Sequence, residues 1–177
     1  MQQLLKKYWW LGLLMGIVII LAIYCINCDF RKLNNHSEVK NGFEWEAPDL
    51  IRIPSDKEGN LILYGRDLII HTADYFGPKG KIASMSNGMN CQNCHLDAGT
   101  KLWGNNYSAV YSTYPKFRAR SGTIETIYKR INDCFERSLN GKALDSNSTE
   151  MKAIYAYIKW LGSTVPKNIK PIVNYDK

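Results

Sequence analysis

The 177-residue sequence contains no internal repeat and no low-complexity tract, which excludes solenoids, propellers and fibrous arrays. No segment alternates apolar and polar residues convincingly, so neither a β-sandwich nor a βαβ arrangement is indicated. Acidic residues are in short supply: 16 Asp and Glu face 23 Lys and Arg, a formal net charge of +7. That excess favours anionic ligands, acidic redox proteins or lipid head groups. The basic residues form no stripe interleaved with stacking aromatics, so nucleic acid is excluded as a partner. Histidine is rare as well, with three residues, and there are five cysteines.

What is present begins with a charge-free run. Tyr8 to Ile26 reads YWWLGLLMGIVIILAIYCI, about 19 residues, enough to cross a hydrocarbon core of about 30 Å as a helix. Trp9 and Trp10 stand where an interfacial aromatic belt would lie, just inside Lys6 and Lys7. A cleaved signal peptide would have a shorter apolar region and small residues at its end, whereas here the end is AIYCINCDF. The expectation is an uncleaved single-pass anchor over 8–27, after a cytoplasmic tail over 1–7. Flanking charge does not orient it, because Arg31 and Lys32 answer Lys6 and Lys7. Residues 28–50 are polar and unpatterned and read as a tether, 51–171 as the globular domain, and 172–177 as a tail.

Within the domain, periodicity predicts three helices. Leu61, Tyr64, Leu68, Thr72 and Tyr75 recur at helical spacing over Leu61–Tyr75. A second helix is expected over Ile124–Leu139, capped by Thr123, with Ile127, Ile131, Cys134 and Ser138 on one face. The third covers Ser148–Leu161, capped by Asn147 with Glu150 as capping-box partner, and buries Met151, Ile154, Ile158 and Leu161. Between the first two lies a stretch rich in Gly, Asn, Ser and Pro, whose loops must be organised around something other than their own side chains.

That stretch contains Cys91-Gln92-Asn93-Cys94-His95. In C-x-x-C-H the two thiols add to the vinyl groups of haem and the adjacent imidazole binds the iron as proximal ligand. The spacing lets both sulfurs reach one edge of the macrocycle while the next residue points beneath it. A redox dithiol would be expected beside a βαβ pattern, and a zinc site would need a second ligand pair nearby; the sequence has neither. The reading is an all-α, cytochrome c-like domain around one covalent haem c, preceded by a single transmembrane helix. Covalent haem attachment in bacteria takes place outside the cytoplasmic membrane, so the haem domain is expected on the periplasmic side of the inner membrane. Cys25 and Cys28 share the C-x-x-C spacing, but Asp29 follows them; a disulfide, a lipid attachment and two idle thiols all remain open.

An electron-carrying haem usually takes a second protein ligand. Met85, Met89, Met151, His36, His71 and Cys134 are the candidates. Met85 and Met89 stand close before the motif, His36 is in the tether, and Met151 belongs to a core stripe. Cys134 is the one remaining cysteine and shares the apolar face of its helix, where a small buried hydrophobe would also fit.

The run Arg130-Ile131-Asn132-Asp133-Cys134-Phe135-Glu136-Arg137-Ser138-Leu139-Asn140-Gly141-Lys142 resembles the thiosulfate dehydrogenases. More distantly, it resembles the sulfur-oxidising A-type cytochromes. Glu150-Met151-Lys152-Ala153, Tyr157-Ile158-Lys159-Trp160-Leu161, Tyr64-Gly65-Arg66-Asp67-Leu68 and Cys94-His95-Leu96-Asp97-Ala98-Gly99 extend the likeness, as does Tyr114-Pro115 with Arg118 and Arg120. It covers about Ile53 to Pro166. The resemblance implies Cys134 as distal iron ligand, with Met151 the alternative, and Arg120 and Ser138 as pocket residues, helped by Arg118 or Lys116. Thiosulfate dehydrogenases of the well-known kind carry a second haem domain, whereas this chain has a single C-x-x-C-H. Two functional expectations follow. One is a membrane-anchored monohaem cytochrome passing single electrons between a membrane respiratory complex and other cytochromes. The other is a thiosulfate dehydrogenase-like enzyme that oxidises a small sulfur oxyanion and hands the electrons to a partner cytochrome.

Overall fold

The computed structural model describes residues 15–24 and 43–172. Residues 15–24 are helical, with exposed apolar side chains such as Ile20 and Leu21. The remainder of the expected anchor with Cys25, the tails over 1–7 and 173–177, and the tether over 28–42 with Cys28 and His36 lie outside the described residues. Among the described residues no helix is long and apolar enough to cross a membrane.

The second unit begins before the expected boundary at residue 51. Trp45 is 2% exposed and its Nε1 donates to the Leu161 carbonyl at 3.0 Å. Glu44 forms a parallel bridge with Ile172, so the two ends of the domain meet. Polar neighbours make Phe43–Trp45 read as tether in the sequence, but one buried indole ties them down.

Helix α1 spans Lys57–Ile70. It starts four residues earlier than its apolar pattern predicts, because the Asp56 carboxylate caps it by accepting from Gly59 N at 2.9 Å. At His71 the helix breaks, and a separate turn follows over Thr72–Phe76. The Thr72 hydroxyl donates back to the Leu68 carbonyl at 2.7 Å, leaving its oxygen available to the loop beyond. Three short helical turns over Cys91–Asn93, Leu96–Gly99 and Val110–Thr113 lead to a two-stranded antiparallel hairpin, β1 over Lys116–Arg118 and β2 over Thr123–Glu125, with Phe117 opposite Ile124. This corrects the start expected for the second helix. Thr123 lies in a strand, and α2 (Ile127–Asp133) is capped by the other threonine, Thr126, whose hydroxyl accepts from Lys129 N at 3.2 Å. The hairpin also departs from the expected absence of strands, because three-residue strands are too short to carry a visible alternation.

Beyond Asp133 the chain continues in a π-helical turn over Cys134–Ser138, closed by Leu139 N donating to the Cys134 carbonyl at 3.0 Å. Helix α3 runs over Thr149–Leu161, capped by Ser148 rather than Asn147. Glu150 accepts from the Tyr64 hydroxyl at 3.1 Å and so ties α3 to α1 instead of closing a capping box. The expected stripe of α3 is buried throughout. It packs on α1 with a close backbone approach at Gly65, where a Cβ would lie 1.9 Å from the Ala153 carbonyl oxygen. The described domain is mostly helical, as expected, with its core between α1 and α3 and its loops wrapped over one end.

Candidate functional site

The C-x-x-C-H segment forms a single helical turn, with Cys94 N and His95 N both donating to the Cys91 carbonyl at 3.2 and 3.0 Å. Its attachments come from the break after α1. Cys91 N donates to the Thr72 hydroxyl at 2.9 Å, the Gln92 side chain to the Ile70 carbonyl at 3.1 Å, and Ala73 N to the Asn90 side chain at 2.8 Å. The helix break therefore supplies two acceptors and one donor that seat the motif.

The chain then reverses through three consecutive left-handed residues, Asp97, Ala98 and Gly99, at φ 53°, 56° and 83°. At Gly99 a Cβ would sit 2.1 Å from the Tyr107 ring, so only glycine lets that ring close over the loop. Tyr107 stacks on His95 with centroids 4.5 Å apart. The His95 Nδ1 lies 2.6 Å from the Asn105 carbonyl, which can only accept, so Nδ1 carries the proton and Nε2 is the basic nitrogen. Burial pushes the His95 pKa below its ordinary value, against the carbonyl bond that raises it, and the ring is neutral.

Cys91, Cys94 and His95 line one wall of a cavity of about 420 Å³, and Cys134 lines it from α2 and the π turn. The other walls are largely aliphatic: Ile69 of α1, Ile127 and Ile131 of α2, Ile154 and Ile158 of α3. Burial pushes the Cys91 thiol up to about 11 and raises that of Cys134, so neither is a reactive thiolate by itself. A flat apolar group with two vinyl attachment points and an iron suits this setting: two thiols one helical turn apart, an oriented neutral imidazole beside them, and a further sulfur donor on another element. The donor set fits haem c.

Three cations also reach the cavity: Lys116, Arg118 and Arg130. Lys116 stands 4.8 Å over the Tyr114 ring, and burial, followed by repulsion from Arg118, Lys170 and Arg130, lowers its pKa. Arg118 pairs at 3.7 Å with Glu125, which is 3% exposed.

The candidates named from sequence separate cleanly. Ser138 lines the cavity beside Cys134. Arg120 does not: it sits in the exposed turn between β1 and β2. Met151, the alternative sulfur ligand, is wholly buried in the core stripe of α3 and is not among the cavity residues. Met89 lines the cavity, Met85 packs against the core, and His71 lies on the surface between Asp67 and Asp74 at 3.7 and 4.0 Å. Arg130, Asn105 and Tyr107 are cavity residues that pattern reading passed over. For Arg130 the signal was available, since it stands one helical turn before Cys134 on the same face.

Residues 81–166 match the family described as SoxA/TsdA, cytochrome c domain. The thiosulfate dehydrogenase of Psychrobacter arcticus is 40% identical over 126 residues, covering 71% of this chain and 37% of that protein. The thiosulfate dehydrogenase of Allochromatium vinosum is 31% identical over 135 residues, covering 74% of this chain and 48% of its own length. The chain thus spans less than half the length of these curated relatives. Among solved structures, the thiosulfate dehydrogenase (TsdBA) of Marichromatium purpuratum shares the fold, with a TM-score of 0.63 at 24% identity over 70% of this chain and 27% of that one.

Proposed function

Because the chain carries a c-type cytochrome domain resembling the haem domain of thiosulfate dehydrogenases, we propose that it is a membrane-anchored monohaem electron carrier working on the periplasmic side of the inner membrane. The observation that carries this reading is the convergence of Cys91, Cys94, His95 and Cys134 on one apolar cavity. Cys91 and Cys94 hold a single haem c through thioether bonds, His95 Nε2 is the proximal ligand and the Cys134 sulfur the distal one. When bound, that group supplies one-electron redox chemistry. The aliphatic walls from α1, α2 and α3 exclude water around it. The apolar run from Tyr8 to Ile26 supports the anchor, and export of the haem domain follows from where covalent attachment takes place.

A specific observation also favours the enzymatic reading. Lys116, Arg118 and Arg130 reach the same cavity as Cys134 and Ser138, a cationic lining that suits a small sulfur oxyanion as well as the haem propionates. In this reading the cations bind and orient the anion, and the Ser138 hydroxyl donates to one of its oxygens. Joining two thiosulfates releases two electrons, whereas a single haem accepts one, so a partner cytochrome takes each electron in turn.

Oxidised full-length protein is titrated with thiosulfate, with and without an added c-type cytochrome, while the haem absorbance is followed. Reduction supports the enzymatic reading; haem that stays oxidised throughout removes it and leaves the relay. For the ligand set, Cys134→Ala is expected to change the absorption spectrum, and an unchanged spectrum would mean that another residue holds the distal position.

A further inference from the structure

By ordinary patterning the β1–β2 hairpin is inside out. Pro115, Phe117 and Ala119 alternate along one face and are all exposed, while Lys116 and Arg118 between them are half-buried and line the cavity. Across the hairpin Ile124 pairs with Phe117, at 73% and 64% exposure, so the two side chains form one apolar patch rather than scattered residues. A two-stranded sheet beside water is expected to turn its apolar residues inward and its charges outward. On the inner face the inversion has a reason, because the cations belong to the cavity. On the outer face nothing within the hairpin explains it. The charge around the patch is of one sign: the hairpin carries Lys116, Arg118 and Arg120, with Arg120 exposed in the turn. Its one carboxylate, Glu125, is buried at 3% exposure and pairs with Arg118 at 3.7 Å.

We infer that the outer face of this hairpin, centred on Phe117 and Ile124, is the docking surface for an acidic c-type cytochrome that takes the electron from the haem. This assignment rests on the proposed electron-carrier role and adds to it where the partner sits and which charge it bears. Apolar contact at the centre holds a complex together, and opposite charge at the rim steers the encounter. A transient redox complex buries little surface, less than about 1,200 Å² in all, so a hairpin face is large enough to centre one. Position favours a redox partner over other acidic proteins. The strand that turns Phe117 outward turns Lys116 and Arg118 inward, so a protein seated there is one strand away from the cavity that fits the haem. In the complex one electron passes from ferrous haem to the ferric iron of the partner, and no bond is made or broken.

Full-length protein in detergent, reduced with dithionite and freed of the excess, is mixed in a stopped flow with three acceptors. These are a ferric acidic c-type cytochrome, a ferric basic one, and tris(phenanthroline)cobalt(III), which needs no docking. The wild type is expected to react faster with the acidic cytochrome than with the basic one. F117S/I124S should lower the rate constant with the acidic cytochrome about tenfold. R120E should lower it as well and flatten its dependence on salt. Rates with the cobalt complex and the haem absorption spectrum should stay those of the wild type. Wild-type rates with the acidic cytochrome in both variants, or equal losses with the cobalt complex, would overturn the inference. Two other occupants would each overturn it through a result of their own. A second copy of the chain would show as a dimer in sedimentation that F117S/I124S dissociates. Anionic lipid would show as a rate lower in proteoliposomes containing phosphatidylglycerol than in phosphatidylcholine alone, restored by the double variant. Failure of the electron-carrier role looks different: the wild type reduces the cobalt complex but neither cytochrome, which takes the docking surface with it.

Discussion

Gly65→Ala tests how tightly the helix pair beneath the cavity is fitted. An added Cβ would lie 1.9 Å from the Ala153 oxygen, 2.5 Å from the Ala153 carbonyl carbon and 3.0 Å from the Tyr157 Cβ. The two shortest contacts are to the backbone of α3, which cannot rotate aside. An ordinary carbon–oxygen contact is about 3.3 Å, so the helices must part locally by about 1.4 Å. Overpacking of this kind costs about 1–3 kcal/mol, and the geometry puts this site at the upper end. Alanine returns about 1 kcal/mol through its better helix propensity. The net expectation is a loss of about 2 kcal/mol, or a fall in Tm of about 6–10 °C for a domain of this size. Ile69 lies one turn beyond Gly65, and with Ile154 and Ile158 of α3 it lines the cavity, so the haem absorbance should change together with the stability. Thermal and guanidinium unfolding of the holoprotein provide the assay. A variant as stable as the wild type would refute the claim that α1 and α3 meet backbone to backbone at this point.

Gly99→Ala should drive the Tyr107 ring off His95, because the new Cβ meets it at 2.1 Å and φ is +83°; a drop of about 1–3 kcal/mol with a lower haem-to-protein absorbance ratio is expected. Thr126→Ala removes the true cap of α2 and should cost about 1 kcal/mol in urea unfolding, whereas Thr123→Ala, on the exposed strand, should stay within about 0.5 kcal/mol. Under the enzymatic reading, Arg118→Gln should weaken thiosulfate-dependent haem reduction far more than Arg120→Gln; equal effects would return Arg120 to the site. Lys116 has a lowered pKa, so it loses its charge at lower pH than an exposed lysine, and anion binding should take up a proton there. Thiosulfate affinity by calorimetry should therefore fall as pH rises through that lowered value, and the fall should disappear in Lys116→Met.

How much could be read from the chain in advance depends on whether the signal is periodic or positional. The buried face of α3 is a period, and Met151, Ile154, Ile158 and Leu161 are all buried. Helix starts are single hydrogen bonds, and the observed caps Thr126 and Ser148 fall three residues and one residue beyond the expected Thr123 and Asn147. The expected cap at Thr123 lies in β2 instead, because a three-residue strand, held by pairing with Lys116–Arg118, leaves no local trace. Arg118 and Arg120 are equally basic in sequence. What separates them is the alternation of β1, which turns Lys116 and Arg118 to the cavity, Phe117 to solvent at 64% exposure, and ends before Arg120. The bonds of Asn105 and Tyr107 to His95 are tertiary contacts with no sequence signature.

The family-like run over residues 130–142 resolves into separate physical tasks. Arg130 and Cys134, one turn apart, face the cavity, and the buried Ile131 and Phe135 next to them line it from the core side. Asn132 grips Leu144 in both directions, accepting from its N–H at 2.9 Å and donating to its carbonyl at 3.0 Å, which fixes the segment that follows the helix. The π turn starts at Cys134 itself, and at its end both the exposed Ser138 and the buried Leu139 line the cavity. Asn140 then takes φ 45°, the left-handed step that ends the helix, and Gly141 N closes back on the Phe135 carbonyl at 2.9 Å. The residues of that run therefore divide between those that present chemistry (Arg130, Cys134 and Ser138) and those that hold the backbone so that the first group can face inward together. A substitution at Asn132 or Asn140 should accordingly disturb the cavity without touching it, which is why the spacing of the run carries more information than the identity of any one of its cations.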